Sequence, residues 1–133
     1  MLYHTKELTF TVRPDDIIEI NTFETFKGAY SLEAVEENLA ALEKAIAGKA
    51  RATLIHFPDV YVKKEVLKKY ANSDLHTTAS ALLAKSFGSK LVGNLFLSLS
   101  GRFNEKLKKR PTKVFTDKET AVEWLLEHLA NAR

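Results

Sequence analysis

Hydrophobic and polar positions first alternate with a period of two. Leu8, Phe10 and Val12 are separated by threonines, which is the pattern of a half-buried strand. The Arg-Pro-Asp-Asp sequence at 13–16 is typical of a turn, and a β-branched, apolar segment at 17–23 follows it. The two segments are therefore predicted to form an opening antiparallel hairpin.

The period then changes to three and four residues, which indicates a helix with one apolar face. The residues on that face are Leu32, Val35, Leu39, Leu42 and Ile46. Ser31 is predicted to cap the start of this helix, and Gly48 is predicted to end it as a left-handed C-cap.

Three further elements are predicted in the order strand, helix, strand. Residues 52–57 are almost continuously apolar, as in a central parallel strand, and Pro58 ends the segment. Residues 62–70 place apolar side chains on one helix face and four lysines on the other. Residues 77–84 are small, apolar and partly β-branched, which favours a buried strand.

The most apolar stretch of the chain has two interpretations. A helix from Phe87 or Gly88 to about Leu99 would follow a parallel strand and place Leu91 on the sheet. Alternatively, Leu95 and Leu97 belong to an alternation with serine at 98 and 100, which is typical of a strand. The position after a parallel strand and the length of the segment favour the helix.

The C-terminal part is predicted to be a strand at 112–115 followed by a helix. Thr116 and Glu119 have the spacing of a capping box. The inner face of the last helix is supplied by Val122, Leu125, Leu126 and Leu129. The predicted order is ββαβαβαβα, in one α/β domain over 1–133 with a mixed, mostly parallel, five-stranded sheet and about four helices.

Four segments of the C-terminal half carry a family resemblance: SALL at 80–83, SKLVGNLFL at 89–97, TKVFTD at 112–117 and AVEWL at 121–125. Together with the element order, they resemble the STAS/SpoIIAA-like superfamily, in particular small bacterial STAS/SEC14-like proteins. The resemblance implies a non-enzymatic domain for regulation or for protein or small-ligand binding. STAS switch proteins carry a phosphorylatable serine in an Asp-Ser motif, whereas 59–65 contains no serine or threonine. That phosphorylation switch is therefore not expected here.

Composition narrows the function classes. The 133 residues are 45% hydrophobic and 28% charged, as in a globular domain, and include no cysteine for a disulfide or a thiolate nucleophile. The N-terminus lacks the apolar segment of a signal peptide. The longest apolar run is interrupted at Gly93 and Asn94 and is too short to span a membrane. A cytoplasmic location is therefore predicted.

Charge is divided unevenly along the chain. Residues 1–60 have a net charge of −4 and residues 61–133 a net charge of +7. A basic connector of the second half is a candidate patch for phosphate, nucleic acid or an acidic partner, and an ordinary solvated loop is the alternative. Its basic residues are Arg102, Lys106, Lys108, Lys109, Arg110 and Lys113. A nucleic-acid-binding or acidic-surface-binding module is thus a second hypothesis for function.

No catalytic, metal-binding or cofactor-binding motif is recognisable. The four histidines have no metal-ligand spacing, and no nucleophile elbow or phosphate-binding glycine loop is present. Ligands in α/β sheets tend to bind beyond the carboxyl ends of the parallel strands. The candidate ligand or anion site there consists of Asp59, Tyr61, Lys85, Ser86, Ser89 and Lys90. Ordinary capped loops are the alternative explanation.

The breadth of the apolar stretch at 90–99 raises one further hypothesis. Phe96 and Leu97 extend its apolar face around the side of the predicted helix, which implies burial on two sides. A neighbouring element of the same chain would cover them in the ordinary case. A homodimer contact through Phe96 and Leu97 is the alternative, since large exposed apolar patches are uncommon on monomers.

Overall fold

The computed structural model describes residues 2–23, 30–57, 62–71, 73, 77–86, 90–91, 93–94 and 111–132. These residues form one mixed α/β sheet of six strands with three helices, in the order βββαβαββα. The strands are β1 (Leu2–His4), β2 (Leu8–Val12), β3 (Ile17–Thr22), β4 (Ala52–His56), β5 (Ser80–Leu83) and β6 (Thr112–Phe115). The helices are α1 (Val35–Ile46), α2 (Lys64–Ala71) and α3 (Lys118–Ala132).

The strands lie in the sheet in the order of the sequence. The pairs β1–β2 and β2–β3 are antiparallel, and β3, β4, β5 and β6 are parallel. The predicted hairpin is confirmed: the Asp16 N–H donates to the Arg13 carbonyl at 3.2 Å, with Pro14 at the second position of the turn. Asp16 has a φ of 67°, a left-handed conformation that Asp tolerates better than most residues.

The prediction of five strands is wrong, because β1 adds a sixth. This strand is only three residues long and pairs with β2, with Leu2 opposite Thr11. Leu2 and His4 are exposed and Tyr3 alone packs against the core, so the strand is too short to show an alternating pattern. Backbone hydrogen bonds to β2 and the packing of Tyr3 hold this edge strand in place.

The apolar face predicted for α1 is largely confirmed. Val35 and Ile46 are buried and Leu39 and Leu42 are half-buried, but Leu32 is 45% exposed in the turn before the helix. Ser31 accepts a hydrogen bond from the Ala34 N–H at 3.3 Å and thus caps that turn. The N-cap of the helix itself is Ala34, which has no side-chain cap, because the helix begins at Val35.

Both remaining cap predictions are displaced by one residue. The first left-handed residue after α1 is Ala47, with a φ of 54°, and Gly48 continues the turn. At α3, the capping residue is Asp117 instead of Thr116. Its Oδ2 accepts hydrogen bonds from the Thr120 N–H at 2.9 Å and the Thr120 hydroxyl at 2.8 Å. The carboxylate is the stronger acceptor, and it replaces the predicted capping box.

The order of the strands places the helices on defined faces. When connections between parallel strands have the same handedness and each leads to the next strand in the same direction across the sheet, their helices lie on the same face. In agreement, α1 and α2 contact each other and cover one face, here called the α1/α2 face. Helix α3 follows the last strand and covers the opposite face, called the α3 face, where Leu125 and Leu129 pack on Ile17, Leu54 and Leu83.

The fourth predicted helix, from 87 or 88 to about 99, falls largely outside the described residues. Residues 90, 91, 93 and 94 have helical backbone. The prediction that Leu91 faces the sheet is wrong, because its side chain is 57% exposed. Gly93 is the buried position: a Cβ there would lie 3.1 Å from Cδ2 of Phe57, so glycine permits the close approach. The choice between helix and strand at 95–100 concerns residues that are not described.

Candidate ligand-binding cavity

A cavity of about 150 Å³ lies between the sheet and the two helices of the α1/α2 face. Strands β2, β3 and β4 contribute Leu8, Phe10, Ile20 and Ile55 to its wall. Leu39 and Leu42 on α1 and Val66 and Leu67 on α2 close it from the other side. Side chains at alternate positions of a strand share one face, and side chains three or four residues apart share one face of a helix. All these side chains therefore point into the same space.

Hydroxyl groups interrupt this apolar wall on the sheet side. Thr53 on β4 is in register with Ser80 on β5, and Ser80 is in register with Thr112 on β6, so three hydroxyl residues stand side by side. The Thr53 and Ser80 hydroxyl oxygens are 2.7 Å apart, and the Ser80 and Thr77 hydroxyl oxygens are 3.4 Å apart. We call the three residues joined by these two contacts, Thr53, Thr77 and Ser80, the hydroxyl trio; all three line the cavity.

A buried polar network adjoins the helix side. Glu7 is 2% exposed; its Oε1 accepts a hydrogen bond from Asn38 Nδ2 at 3.0 Å, and its Oε2 accepts one from the Ser31 N–H at 2.9 Å. Asn38 Nδ2 also donates to the Tyr70 hydroxyl at 2.7 Å, and Asn38 Oδ1 accepts from Thr5. These bonds satisfy polar groups that would be costly to bury alone, and they fix Asn38 and Tyr70 in the cavity wall.

His56 is the one basic side chain among the described residues of the cavity wall, and its Nε2 lies 2.5 Å from Glu19 Oε2. None of the described lining residues is Lys, Arg, Asp or Glu. Burial raises the pKa of Tyr70 to about 12, against the opposing effect of the hydrogen bond from Asn38, and burial also raises the pKa of Tyr30. Both phenols therefore remain protonated at neutral pH and present hydroxyl groups rather than charges.

Charged side chains cluster instead on the α3 face. Glu19 Oε2 lies 2.5 Å from His56 Nε2 and 3.0 Å from Lys118 Nζ, and its Oε1 lies 3.8 Å from Arg13. Burial on its own would raise the pKa of Glu19, but the hydrogen bonds from Lys118 and His56 outweigh it and hold that pKa below its ordinary value. The cluster joins the start of α3 to strands β3 and β4, which gives His56 a structural role.

Half of the predicted strand-end site lies within the described residues. Lys85 and Lys90 are exposed and Ser86 is half-buried, with the Lys90 N–H donating to the Ser86 carbonyl at 3.0 Å. Hydrogen bonds from Thr120 lower the pKa of Asp117, and the Lys85 ammonium adds to this effect, so Lys85 interacts with the start of α3. Asp59, Tyr61 and Ser89 lie outside the described residues, and the site as a whole stays a prediction.

The predicted basic patch and the predicted self-association surface lie almost wholly outside the described residues. Lys113 is exposed, with Nζ 5.3 Å from the ring centroid of Phe115. The predicted residues that are not described are Arg102, Lys106, Lys108, Lys109, Arg110, Phe96 and Leu97. Both surfaces therefore stay predictions.

Sequence reasoning missed the cavity, although it identified most of the apolar residues around it. Alternation and helical periodicity show that side chains face inward, but the same pattern is expected of a fully packed core. The sequence does contain one signal: Thr53, Ser80 and Thr112 are polar residues in or beside otherwise apolar strands. Their meaning depends on strand register, which places them side by side.

The part of the chain that the structure describes contains no metal centre and no membrane-spanning helix. No group of three or more His, Cys, Asp or Glu side chains there is arranged to hold a metal ion. No helix formed by the described residues is long and apolar enough to cross a membrane.

A family model described as "Domain of unknown function (DUF7793)" matches residues 10–129. The match covers most of the chain, from β2 to α3, so the chain belongs to this family. A search of curated proteins gave no match. A search of solved structures gave none either.

Proposed function

We propose that this member of the DUF7793 family is a non-enzymatic binding domain that takes a small apolar ligand into the cavity of the α1/α2 face. The observation that carries the proposal is the cavity itself. Its volume of about 150 Å³ is lined mainly by leucine, isoleucine, valine and phenylalanine. An engineered protein cavity of similar size, lined by apolar side chains alone, binds benzene or xenon.

The unfilled volume of the cavity lowers the free energy of unfolding. Apolar groups that face a void lose contacts, at about 24 cal/mol for each Å³ of cavity. A ligand that fills the space would restore those contacts and stabilise the folded state in proportion to its concentration. This cost supports a binding role for the α1/α2 face, since the α3 face shows that the same sheet also supports an apolar core cluster.

The resemblance to STAS/SpoIIAA-like domains adds a regulatory element to the proposal. Four parallel strands in sequence order, joined by α1 and α2 on one face, support that comparison of folds. In this proposal, ligand binding in the cavity changes how the domain contacts a protein partner in the cytoplasm. The partner would respond to the ligand without phosphorylation of residues 59–65, which contain no serine or threonine.

Toluene binding to two matched variants tests the proposal. Val66→Phe adds a ring at the cavity wall, whereas Val122→Phe makes the same change on α3, on the opposite face of the sheet. Toluene should raise the melting temperature of the wild type and of Val122→Phe. It should not raise that of Val66→Phe, because the added ring occupies the binding space.

Calorimetric titration supplies the second measurement and shows whether binding is saturable. Circular dichroism of each variant confirms that it is folded before the titration. A wild type that gives no saturable signal with toluene would contradict the proposal. Equal binding to Val66→Phe would also contradict it, since the ligand would then occupy another site.

A further inference from the structure

We infer that the cavity selects a neutral, phenol-like ligand, one aromatic ring with a single hydroxyl group, and that the hydroxyl trio binds its polar end. This inference rests on the proposed function and specifies the ligand of that site. It comes from three properties of the cavity: its volume, the number of hydrogen bonds that the trio leaves open, and the absence of Lys, Arg, Asp and Glu from the described residues of its wall.

Volume limits the ligand to about one ring. The cavity measures about 150 Å³, and a cavity of that size accepts benzene. A long acyl chain or a nucleotide is much larger than this space. The apolar side chains on both sides, such as Ile55 on the sheet and Leu42 on α1, provide the contacts that a ring needs.

The hydroxyl trio leaves one hydrogen available to a ligand. Each hydroxyl has one hydrogen and two lone pairs, so the trio supplies three hydrogens, and its two internal contacts use two of them. The remaining hydrogen and the unused lone pairs can bind a ligand hydroxyl as donor and as acceptor. The trio lies deep in the fold, where Thr53 and Thr77 are buried.

The location of the trio favours a role in recognition. Valine and alanine would fit the strands at Thr53 and Ser80 as well, and β-branched apolar residues are preferred in buried parallel strands. Buried hydroxyls gain little net stability, because their hydrogen bonds replace bonds to water. A polar group at the wall of an apolar cavity does, however, orient a ligand and select its polar group.

The charge environment disfavours anionic ligands. No described lining residue is a Lys or Arg that could pair with a carboxylate or phosphate, and the Nε2 of His56, which also lines the cavity, already contacts Glu19 Oε2 at 2.5 Å. The buried Glu7 carboxyl lies behind Asn38, at 3.0 Å from its Nδ2, and contributes to the raised pKa of Tyr70. A benzoate would therefore lose its hydration without gaining a partner, whereas a phenol at neutral pH is uncharged.

The test compares toluene, phenol and benzoate at pH 7 by calorimetric titration. The variants are Thr53→Val and Ser80→Ala, each of which removes one hydroxyl of the trio. Thr9→Val is the matched control, because Thr9 lies on β2 outside the cavity wall. Loss of one hydrogen bond to a neutral ligand should weaken phenol binding about fivefold in both trio variants and leave toluene binding unchanged. Thr9→Val should bind both compounds like the wild type.

The ligand series separates the two proposals. Toluene binding without phenol binding, or phenol binding that survives in both trio variants, would overturn the inference and leave the apolar cavity as the proposed site. Benzoate binding as tight as phenol binding would overturn the neutral selectivity. Lack of binding by all three compounds would overturn the proposed function itself.

Discussion

The two faces of one sheet are built differently. On the α3 face, residues at alternate positions of β3 to β6 join Ala121, Leu125 and Leu129 in a single apolar cluster. On the α1/α2 face, the buried apolar residues divide into two smaller clusters, one between strands β2 and β3 and helix α1 and the other around α1 and α2, and a cavity lies between the strands and the helices. Buried polar residues belong mainly to the second face and include Glu7, Asn38 and Thr53.

The two faces differ in how far their packing contributes to the stability of the fold. The α3 face has the features of a packed core: small residues such as Ala81 on the strands allow the helix to approach, and leucines fill the interface. The α1/α2 face has features that lower stability, namely an empty volume and buried hydrogen-bonding groups. A mostly apolar cavity with a few polar groups is the usual form of a small-molecule site, and the proposed binding site therefore lies on the α1/α2 face.

Truncation of one leucine on each face should give the largest contrast. Leu125→Ala creates a new void in the packed cluster and should lower the free energy of unfolding by about 4 kcal/mol. Leu67→Ala enlarges a cavity that already exists and should cost about 2 kcal/mol, because fewer contacts are lost. Urea denaturation followed by circular dichroism measures both values.

Both substitutions should lower the free energy of unfolding, because both leucines are buried. The comparison therefore depends on which of the two losses is larger. An equal or larger loss of stability in Leu67→Ala would show that the α1/α2 face is packed as tightly as the α3 face. That result would contradict the claim that the α1/α2 face is less tightly packed than the α3 face.

Acidification should weaken contacts on the α3 face through Glu19. The pKa of Glu19 is lower in the folded protein than the ordinary value of about 4.3. Its contribution to stability is therefore fully present above that ordinary value and is lost as the pH falls through the lowered pKa. Glu19→Gln should reduce the melting temperature at pH 7, and the difference from the wild type should narrow below about pH 4.

Glu43→Gln is the control, because Glu43 is exposed on α1 and its variant should follow the wild type at every pH. Melting curves from pH 7 down to about pH 3 cover the region in which carboxylates titrate. A Glu19→Gln difference that stays constant or grows in acid would contradict the role given to the cluster with His56 and Lys118.

Elements that bury one face were predictable from the sequence. The alternation at Leu8 and Phe10 and the helical spacing from Val35 to Ile46 each arise from burial of one side, and the structure confirms these elements. Strand β1 was not predicted, because it has only three residues and only Tyr3 packs against the core. The predicted N-cap of α3 was one residue too early, because Thr116 and Asp117 are adjacent and both suit an N-cap. Only the structure decides between them.

The cavity was beyond sequence reasoning for a different reason. Ile20, Ile55 and Leu42 have the same pattern whether they touch each other or enclose an empty volume. Packing depends on the distance between the sheet and the helices, and residue spacing does not encode that distance. The hydroxyl trio likewise depends on register, which aligns Thr53 with Ser80 across 27 positions of sequence.

The most direct test of the central claim is a crystal structure of the protein under xenon pressure. Xenon binds in dry apolar cavities and needs no hydrogen bonds, so it reports on the empty volume alone. The account predicts a xenon atom on the α1/α2 face in contact with Leu42, Ile55 and Val66, and none between α3 and the sheet. Side chains that close this space and leave no xenon on the α1/α2 face would contradict it.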